Sequence, residues 1–328
     1  MTLEIRLARE DDKNNVLKLL NSVFERQQRS AHSRDDRYWD WKFLQSPFGR
    51  SILSVAEIGH EIVGVDNLWP WEFNFLGNTY CAFQPCDSVV HPNFRGQGIF
   101  KKLRLHGLEI AKGNKPAFLF NFPNNQSLRT NLSLGWHHMG LIPWYVSPLQ
   151  PLRVFAGIAC AGRTESLNIC DNYKLDVVSL EIVNKKNPFP TSYVGINRKA
   201  GYYDWRYVNH PMRHYGMILT ERGNYSTSAI FTVNKRGSLN EMFIVELLGS
   251  PEIASDLLRD IISAAKEMDI SLLAMMKNSL FFSTNVWQYG FIQMKSKNMV
   301  VFPLFPDLNP IVKDFKNWSM NACIHDSL

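Results

Sequence analysis

Residues 38–47 read YWDWKFLQSP, and residues 202–211 read YYDWRYVNHP. Tyr, Asp, Trp and Pro are identical at matching positions, and five further positions exchange conservatively, at an offset of 164 in a chain of 328 residues. Self-similarity at half the chain length restricts the fold to a unit that can be built twice, and it points to a tandem duplication. A 45% hydrophobic share supplies material for two cores. The boundary is expected between residues 148 and 163, giving domains over 1–150 and 151–328.

The order of predicted elements downstream of each copy agrees. In the first half, SILSVAEI and EIVGVDNLW flank a Gly59-His60 turn as strands, and CAFQPCDSVV follows as a third. A helix over residues 96–112, carrying Ile99, Leu103 and Ile110, is stopped by Gly113. AFLFNF reads as a buried strand, QSLRTNLSLG as a helix and WHHMGLIPWYV as a last strand. In the second half, GMILTE, SAIFTV and MFIVELL are strands, and Pro251 opens a helix through Met268. SLLAMM, a helix over residues 278–289 and GFIQMKSKNMVVF complete the set. Strands and helices mixed in this way describe an α/β (α+β) layer fold, with each half a mixed central sheet flanked by helices.

A net charge of +6 favours anionic partners. The basic residues are scattered, which argues against a nucleic-acid footprint. No run of about 18 apolar residues is present and the N-terminus carries acids, so a soluble cytoplasmic protein without a membrane partner is expected. The five cysteines, Cys81, Cys86, Cys160, Cys170 and Cys323, show no disulfide or CxxC spacing and are expected to be reduced and mostly buried. The nine histidines lack ligand spacing, and no metal is expected.

The chemistry sits in HPNFRGQGIF, residues 91–100, between a strand and a helix. Backbone N–H groups and the helix dipole make an anion site there, glycines allow close approach, and Arg95 adds charge. The alternative, for the loop read alone, is a strand-to-helix turn with glycines for geometry. It is neither a Walker loop nor a Rossmann fingerprint, because GK[ST] and the first glycine are missing.

Arg95, Gly96, Gln97, Gly98 and Ile99 resemble the pyrophosphate loop of the GNAT superfamily of acyl-CoA N-acyltransferases, with Phe100 where that family has a small residue. Over residues 81–136 the chain is similar to that family. The resemblance implies two GNAT-like domains, acyl-coenzyme A as co-substrate, cofactor contacts at Val89, Val90, His91, Arg95, Gly96, Gln97, Gly98, Ile99 and Phe100, and further contacts from Asn125, Ser127 and Arg129. Lys101, Lys102 and Arg104 can reach the 3′-phosphate or form a solvated helix face. The second half has SPEIASD at the matching helix start, where Glu252 and Asp256 repel a diphosphate. It is expected to be a degenerate copy that helps wall the acceptor site.

The resemblance also implies direct attack of an amine on a thioester, which needs a free amine, an oxyanion stabiliser and a way to protonate the thiolate. Asp87 is the candidate base, and its alternative is a structural carboxylate at a bulge. Backbone N–H at Val89 or Val90 is the candidate oxyanion donor. Where family members carry a Tyr acid, four residues before Gly135, this chain has Asn131, which leaves Tyr38, His137, His138 and Tyr145 as alternatives. Gln84, Trp41, His137 and Tyr145 are candidates for the acceptor, although the repeat favours Trp41 as a duplicated core plug. With its FPNN segment and RGQGIF helix start, the chain also resembles bacterial N-acyltransferases that acylate nucleotide-linked (dTDP) amino-deoxysugars for surface polysaccharides, using acetyl- or 3-hydroxybutyryl-CoA. An aminoglycoside or protein acceptor, and a non-catalytic coenzyme A sensor, are the alternatives.

Overall fold

A computed structural model describes residues 2–26, 33–158, 164–187, 192–278 and 286–325. The chain divides into two compact units, the first built from residues 1–140, 196–205 and 298–317, and the second from the remainder.

In the first unit, β1 (Leu3–Leu7) leads to α1 (Lys13–Arg26), and α2 (Asp36–Trp39) runs into a π turn over Asp40–Leu44. β2 (Ile52–Ile58), β3 (Glu61–Phe75) and β4 (Asn78–Val90) form an antiparallel meander with β1 at its edge. The β2–β3 hairpin closes on His60 and Gly59, both with positive φ, a turn whose twist matches that of the strands it joins. α3 (Ile99–Ala111) then crosses back, so that β5 (Phe118–Asn121) runs parallel to β4. α4 (Asn125–Ser133) follows.

α1 was not anticipated, although its burial at Val16, Leu19, Leu20 and Val23 has the helical period. α3 is seated on β3 at Gly64, where an added Cβ would lie 3.0 Å from Leu103 Cδ1 and 3.1 Å from Ile99 Cγ2. Gly64→Val is therefore expected to cost about 1–3 kcal/mol by overpacking, read from chemical denaturation. A cost near zero would show that α3 does not rest on this strand.

The second unit repeats the order. After β6 (His137–Pro148), α5 (Pro151–Ile158), β7 (Thr164–Ser166), α6 (Val177–Lys186) and β8 (Gly195–Ile196), it has β9 (Gly216–Arg222), β10 (Tyr225–Arg236) and β11 (Leu239–Gly249) as an antiparallel meander. α7 (Ala254–Glu267) returns the chain so that β12 (Leu272–Met276) is parallel to β11. β13 (Ile292–Pro303) ends in the first unit, where Val300–Pro303 pair antiparallel with β5. Of the helix expected over 278–289, residues 279–285 lie outside the described residues and Val286–Tyr289 form a 3₁₀ turn.

The repeated decapeptide forms a π turn in both places, Asp40–Leu44 and Asp204–Val208. Within the first unit, Trp41 Nε1 donates to the Trp205 carbonyl at 2.6 Å and Trp205 Nε1 donates to the Trp41 carbonyl at 3.0 Å. The two rings stack at 5.6 Å. Trp69, Trp71 and Phe48 close the cluster.

Cys86 and Cys323 are buried, Cys81 is partly buried and Cys170 is exposed, whereas Cys160 lies outside the described residues. Among the described residues, no helix is long and apolar enough to cross a membrane.

Candidate functional site

The glycine loop leaves β4 through a short turn at Pro92–Phe94 and enters α3 at Ile99. Gly96 and Gly98 both adopt left-handed backbone, with φ +78° and +73°, and a Cβ on either would point into open space. Their glycine identity is thus set by backbone conformation, not by crowding. Arg95, Gly96, Gln97 and Gly98 are all exposed. The first N–H groups of α3 have no acceptor within the helix, no side chain caps them, and no acid lies in the first turn. Such an array of donors at a dipole's positive end fits a diphosphate.

Three loop residues also make contacts within the protein. The Ile99 side chain is core, buried against Gly64, so only its backbone faces the anion site. Phe100 lies with its ring 5.2 Å from the Arg104 guanidinium, which accounts for a large residue at that position. Arg95 Nε donates to the Val90 carbonyl at 3.1 Å, and its exposed side chain keeps the guanidinium beside the loop.

β4 carries the second part of the site. Its parallel pairing with β5 covers Ala82↔Phe118 and Phe83↔Leu119, and residues 84–90 run on past it. The His91 N–H bonds the Val63 carbonyl at 2.8 Å, so alternation turns Val89 toward β3 and Val90 away from it. Of the two valines expected to polarise a thioester, Val90 alone presents its N–H on the side facing away from β3. The His91 N–H belongs to the ladder, and its Nδ1 caps the following turn, accepting from Asn93 N at 3.4 Å.

The register of β3 against β4 slips between Val65 and Asn67, and Asp87 sits at the slip with φ +48°. This β-bulge rotates the Asp87 carboxylate into a buried polar cluster. Tyr38 donates its hydroxyl to Asp87 Oδ2 at 2.9 Å, Arg34 Nε lies 3.5 Å from Oδ1, and Lys42 Nζ lies 3.9 Å from Oδ2. Burial, then the Asp87 charge, holds the Tyr38 hydroxyl well above its ordinary pKa, so it stays a neutral donor. Arg34 and Lys42 were not among the sequence candidates.

The other bulge residue, Ser88, faces a different network. Its hydroxyl donates to Asp66 Oδ1 at 2.5 Å, and Arg104 binds the same carboxylate through Nε at 2.7 Å and Nη2 at 2.8 Å. Arg104, expected to reach a phosphate or to face solvent, is instead 1% exposed and pins α3 to the bulge. Asn131 is buried beside it, with Oδ1 3.5 Å from Arg104 Nη1. Lys101 and Lys102 are exposed.

The remaining candidates scatter. Ser127 is tied to Asn124 at its helix start, while Asn125 and Arg129 are exposed. His137 is exposed, and modest burial, then Lys313 and His138, lowers its pKa and favours the neutral ring. His138 pairs with Asn298 at 3.0 Å. Trp41 is a buried member of the tryptophan cluster, not an open stacking face. Gln84 is buried, with Oε1 accepting from Trp71 Nε1 at 3.1 Å and its amide nitrogen without a partner. Tyr145 packs in the core of the second unit, its pKa raised by burial. In that unit the first turn of α7 holds Asp256, which Arg259 and Arg222 neutralise at 2.5 and 3.7 Å.

Residues 4–139 match the Acetyltransferase (GNAT) domain family. No curated protein matches the sequence. A GCN5-related N-acetyltransferase from Anabaena variabilis ATCC 29413 has a similar structure at 12% identity and a TM-score of 0.60, over 91% of this chain and 72% of that one. An N-myristoyltransferase of Saccharomyces cerevisiae, bound to myristoyl-CoA and inhibitors, is similar at 11% identity and a TM-score of 0.58, over 92% and 80%. At these identities the likeness is one of fold. The match of residues 4–139 to an acetyltransferase domain supports an acyl-CoA-dependent N-acyltransferase, and the structural likeness adds the fold alone.

Proposed function

We propose that this N-acyltransferase moves an acetyl or 3-hydroxybutyryl group from coenzyme A to the amino group of a nucleotide-linked (dTDP) amino-deoxysugar, in the cytoplasm, for surface polysaccharide assembly. The observation that carries the acyl-CoA part is the exposed loop over residues 95–98, which leads into an uncapped, acid-free helix start on the strand that holds Asp87. The acceptor assignment rests on the group the sequence resembles and on the chain's net charge of +6, which suits an anionic acceptor.

In this reading the N–H groups of residues 96–100 hold the pyrophosphate, and Arg95 turns from the Val90 carbonyl toward it. Asn125, Ser127 and Arg129 lie along the cofactor on α4. The Val90 N–H donates to the thioester oxygen as negative charge develops there. The amine nitrogen attacks the carbonyl carbon, a C–N bond forms, and the C–S bond breaks with its electron pair leaving on sulfur. The amine proton passes to Asp87 or to water, the thiolate takes a proton from water or from Tyr38, which Asp87 then reprotonates, and the products are an amide and free coenzyme A thiol. Gln84 and His137 are the acceptor contacts retained from the sequence.

We read the two halves as tandem GNAT-like domains. Three observations support this: the paired π turns, the matching strand order, and a register slip in the β10–β11 pair as in β3–β4. Tyr207 donates to Glu246 beside that second slip, as Tyr38 does to Asp87. With Glu252 and Asp256 at its helix start, the second copy is the degenerate one.

Incubation with acetyl- or 3-hydroxybutyryl-CoA and a dTDP-amino sugar, followed by mass spectrometry, is expected to show the sugar heavier by one acyl group. Acylation of an aminoglycoside or a protein amine in its place overturns the acceptor. Tight coenzyme A binding with no product from any amine would favour a sensor.

A further inference from the structure

Asp66 of β3 stands opposite two residues of β4. The register passes from Val65↔Val89 to Asn67↔Cys86, which leaves Asp87 and Ser88 to share one partner. In an unbroken strand side chains alternate, so residues 84, 86 and 88 would share one face and residue 87 would take the other. Gln84 and Cys86 keep to that rule, bonding Trp71 and Asn67, which lie on one face of β3. Beyond them the faces exchange. Asp87 joins the face of Gln84 and Cys86, where Tyr38 donates to it, and Ser88 turns to the α3 face, where Asp66 and Arg104 lie.

The exchange is costly, because Asp87 takes φ +48°, left-handed backbone that glycine accommodates and larger side chains resist. Such a conformation persists where its surroundings hold it. On the Ser88 side they do. Ser88 Oγ donates to Asp66 Oδ1 at 2.5 Å and accepts from Arg104 Nη2 at 3.3 Å. Asp66 and Arg104 are each 1% exposed and are joined to one another by two bonds of 2.7 and 2.8 Å. With regular alternation the Asp87 carboxylate would turn toward that of Asp66, like charge on like, and the Ser88 hydroxyl would be withdrawn from the pair.

We propose that Ser88 is a positioning residue for acyl transfer: its hydroxyl, held by the Asp66–Arg104 pair, locks the bulge and so keeps the Asp87 carboxylate on the Tyr38 face. This rests on the reading that Asp87 takes the amine proton, and Ser88 acts only through Asp87. Since Arg104 belongs to α3, which begins at the glycine loop, the same hydroxyl ties Asp87 to the helix that would hold the cofactor.

The test compares Ser88→Ala, Ser88→Thr, Asp87→Asn and the double variant Asp87→Asn with Ser88→Ala, assayed with acetyl-CoA and the dTDP-amino sugar. Ser88→Ala is expected to lower kcat by about 10–100-fold, as misplacement of a reacting group does. Its coenzyme A Kd, read by calorimetry, stays within about twofold of wild type. Ser88→Thr, which keeps the hydroxyl, restores the loss. In the Asp87→Asn background Ser88→Ala is expected to cost nothing further, because both changes act at one group. Crystal structures give a readout that needs no acceptor: in Ser88→Ala the bond between Tyr38 and Asp87 is lost. A wild-type kcat in Ser88→Ala, an undiminished loss in the Asp87→Asn background, or a Ser88→Ala crystal structure with the bulge and the Tyr38 bond intact would overturn the proposal. Full turnover in Asp87→Asn would instead remove the reading of Asp87 on which it stands.

Discussion

Asp87→Asn is expected to lower kcat by about 10²–10⁴-fold, the range that proton-transfer catalysis contributes, while coenzyme A binding stays within about twofold. The separation follows from the geometry. Asp87 occupies a bulge with φ +48°, a conformation that Asn adopts more readily than most residues, so the backbone of β4 and the loop beyond it should be kept. What is lost is a negative charge between the Tyr38 hydroxyl and the Arg34 and Lys42 cations. Steady-state kinetics and calorimetry with coenzyme A read the two effects apart. A kcat within a few-fold of wild type would return Asp87 to a structural role at the bulge.

Asp66→Asn is expected to destabilise the protein by about 3–5 kcal/mol, because it leaves the Arg104 guanidinium buried without its carboxylate. Both side chains are 1% exposed, and the contact is a two-bond fork. Lys199→Met supplies the contrast. It breaks the partly exposed Lys199–Glu72 pair, 2.7 Å long, and is expected to cost about 0–1 kcal/mol. Urea denaturation of the two variants gives the comparison directly. Similar costs would mean that Arg104 reaches solvent and that α3 is anchored some other way. Since α3 begins at the glycine loop, Asp66→Asn should also loosen that loop.

What was legible in the sequence was local. Two glycines at a strand–helix junction declare an open backbone turn, and both adopt the left-handed conformation that glycine accommodates. The bulge at Asp87 was foreseeable as an alternative reading of the same strand. Arg104 was not, because its partner lies 38 residues upstream on another element. In sequence it stands beside two exposed lysines, and nothing nearby marks it as buried. The repeat signalled duplication but not the reciprocal tryptophan bonds, which join positions 164 residues apart. Likewise, no local pattern announces that Val300–Pro303 will pair with β5. The core packing of Tyr145 was hidden for a similar reason: an amphipathic aromatic residue fits a site as well as a core until its neighbours are known.

Coenzyme A binding is assigned to one loop, in the first half. Titration calorimetry of Arg95→Glu and Glu252→Lys against coenzyme A tests it most directly. Arg95→Glu places an acid beside exposed N–H groups that have no other anion, and it is expected to weaken binding by about tenfold or more, or roughly 1.4 kcal/mol. Glu252→Lys, at the helix start of the second half, is expected to leave binding unchanged. Equal effects of the two substitutions, or no effect of Arg95→Glu, would contradict the assignment of the loop.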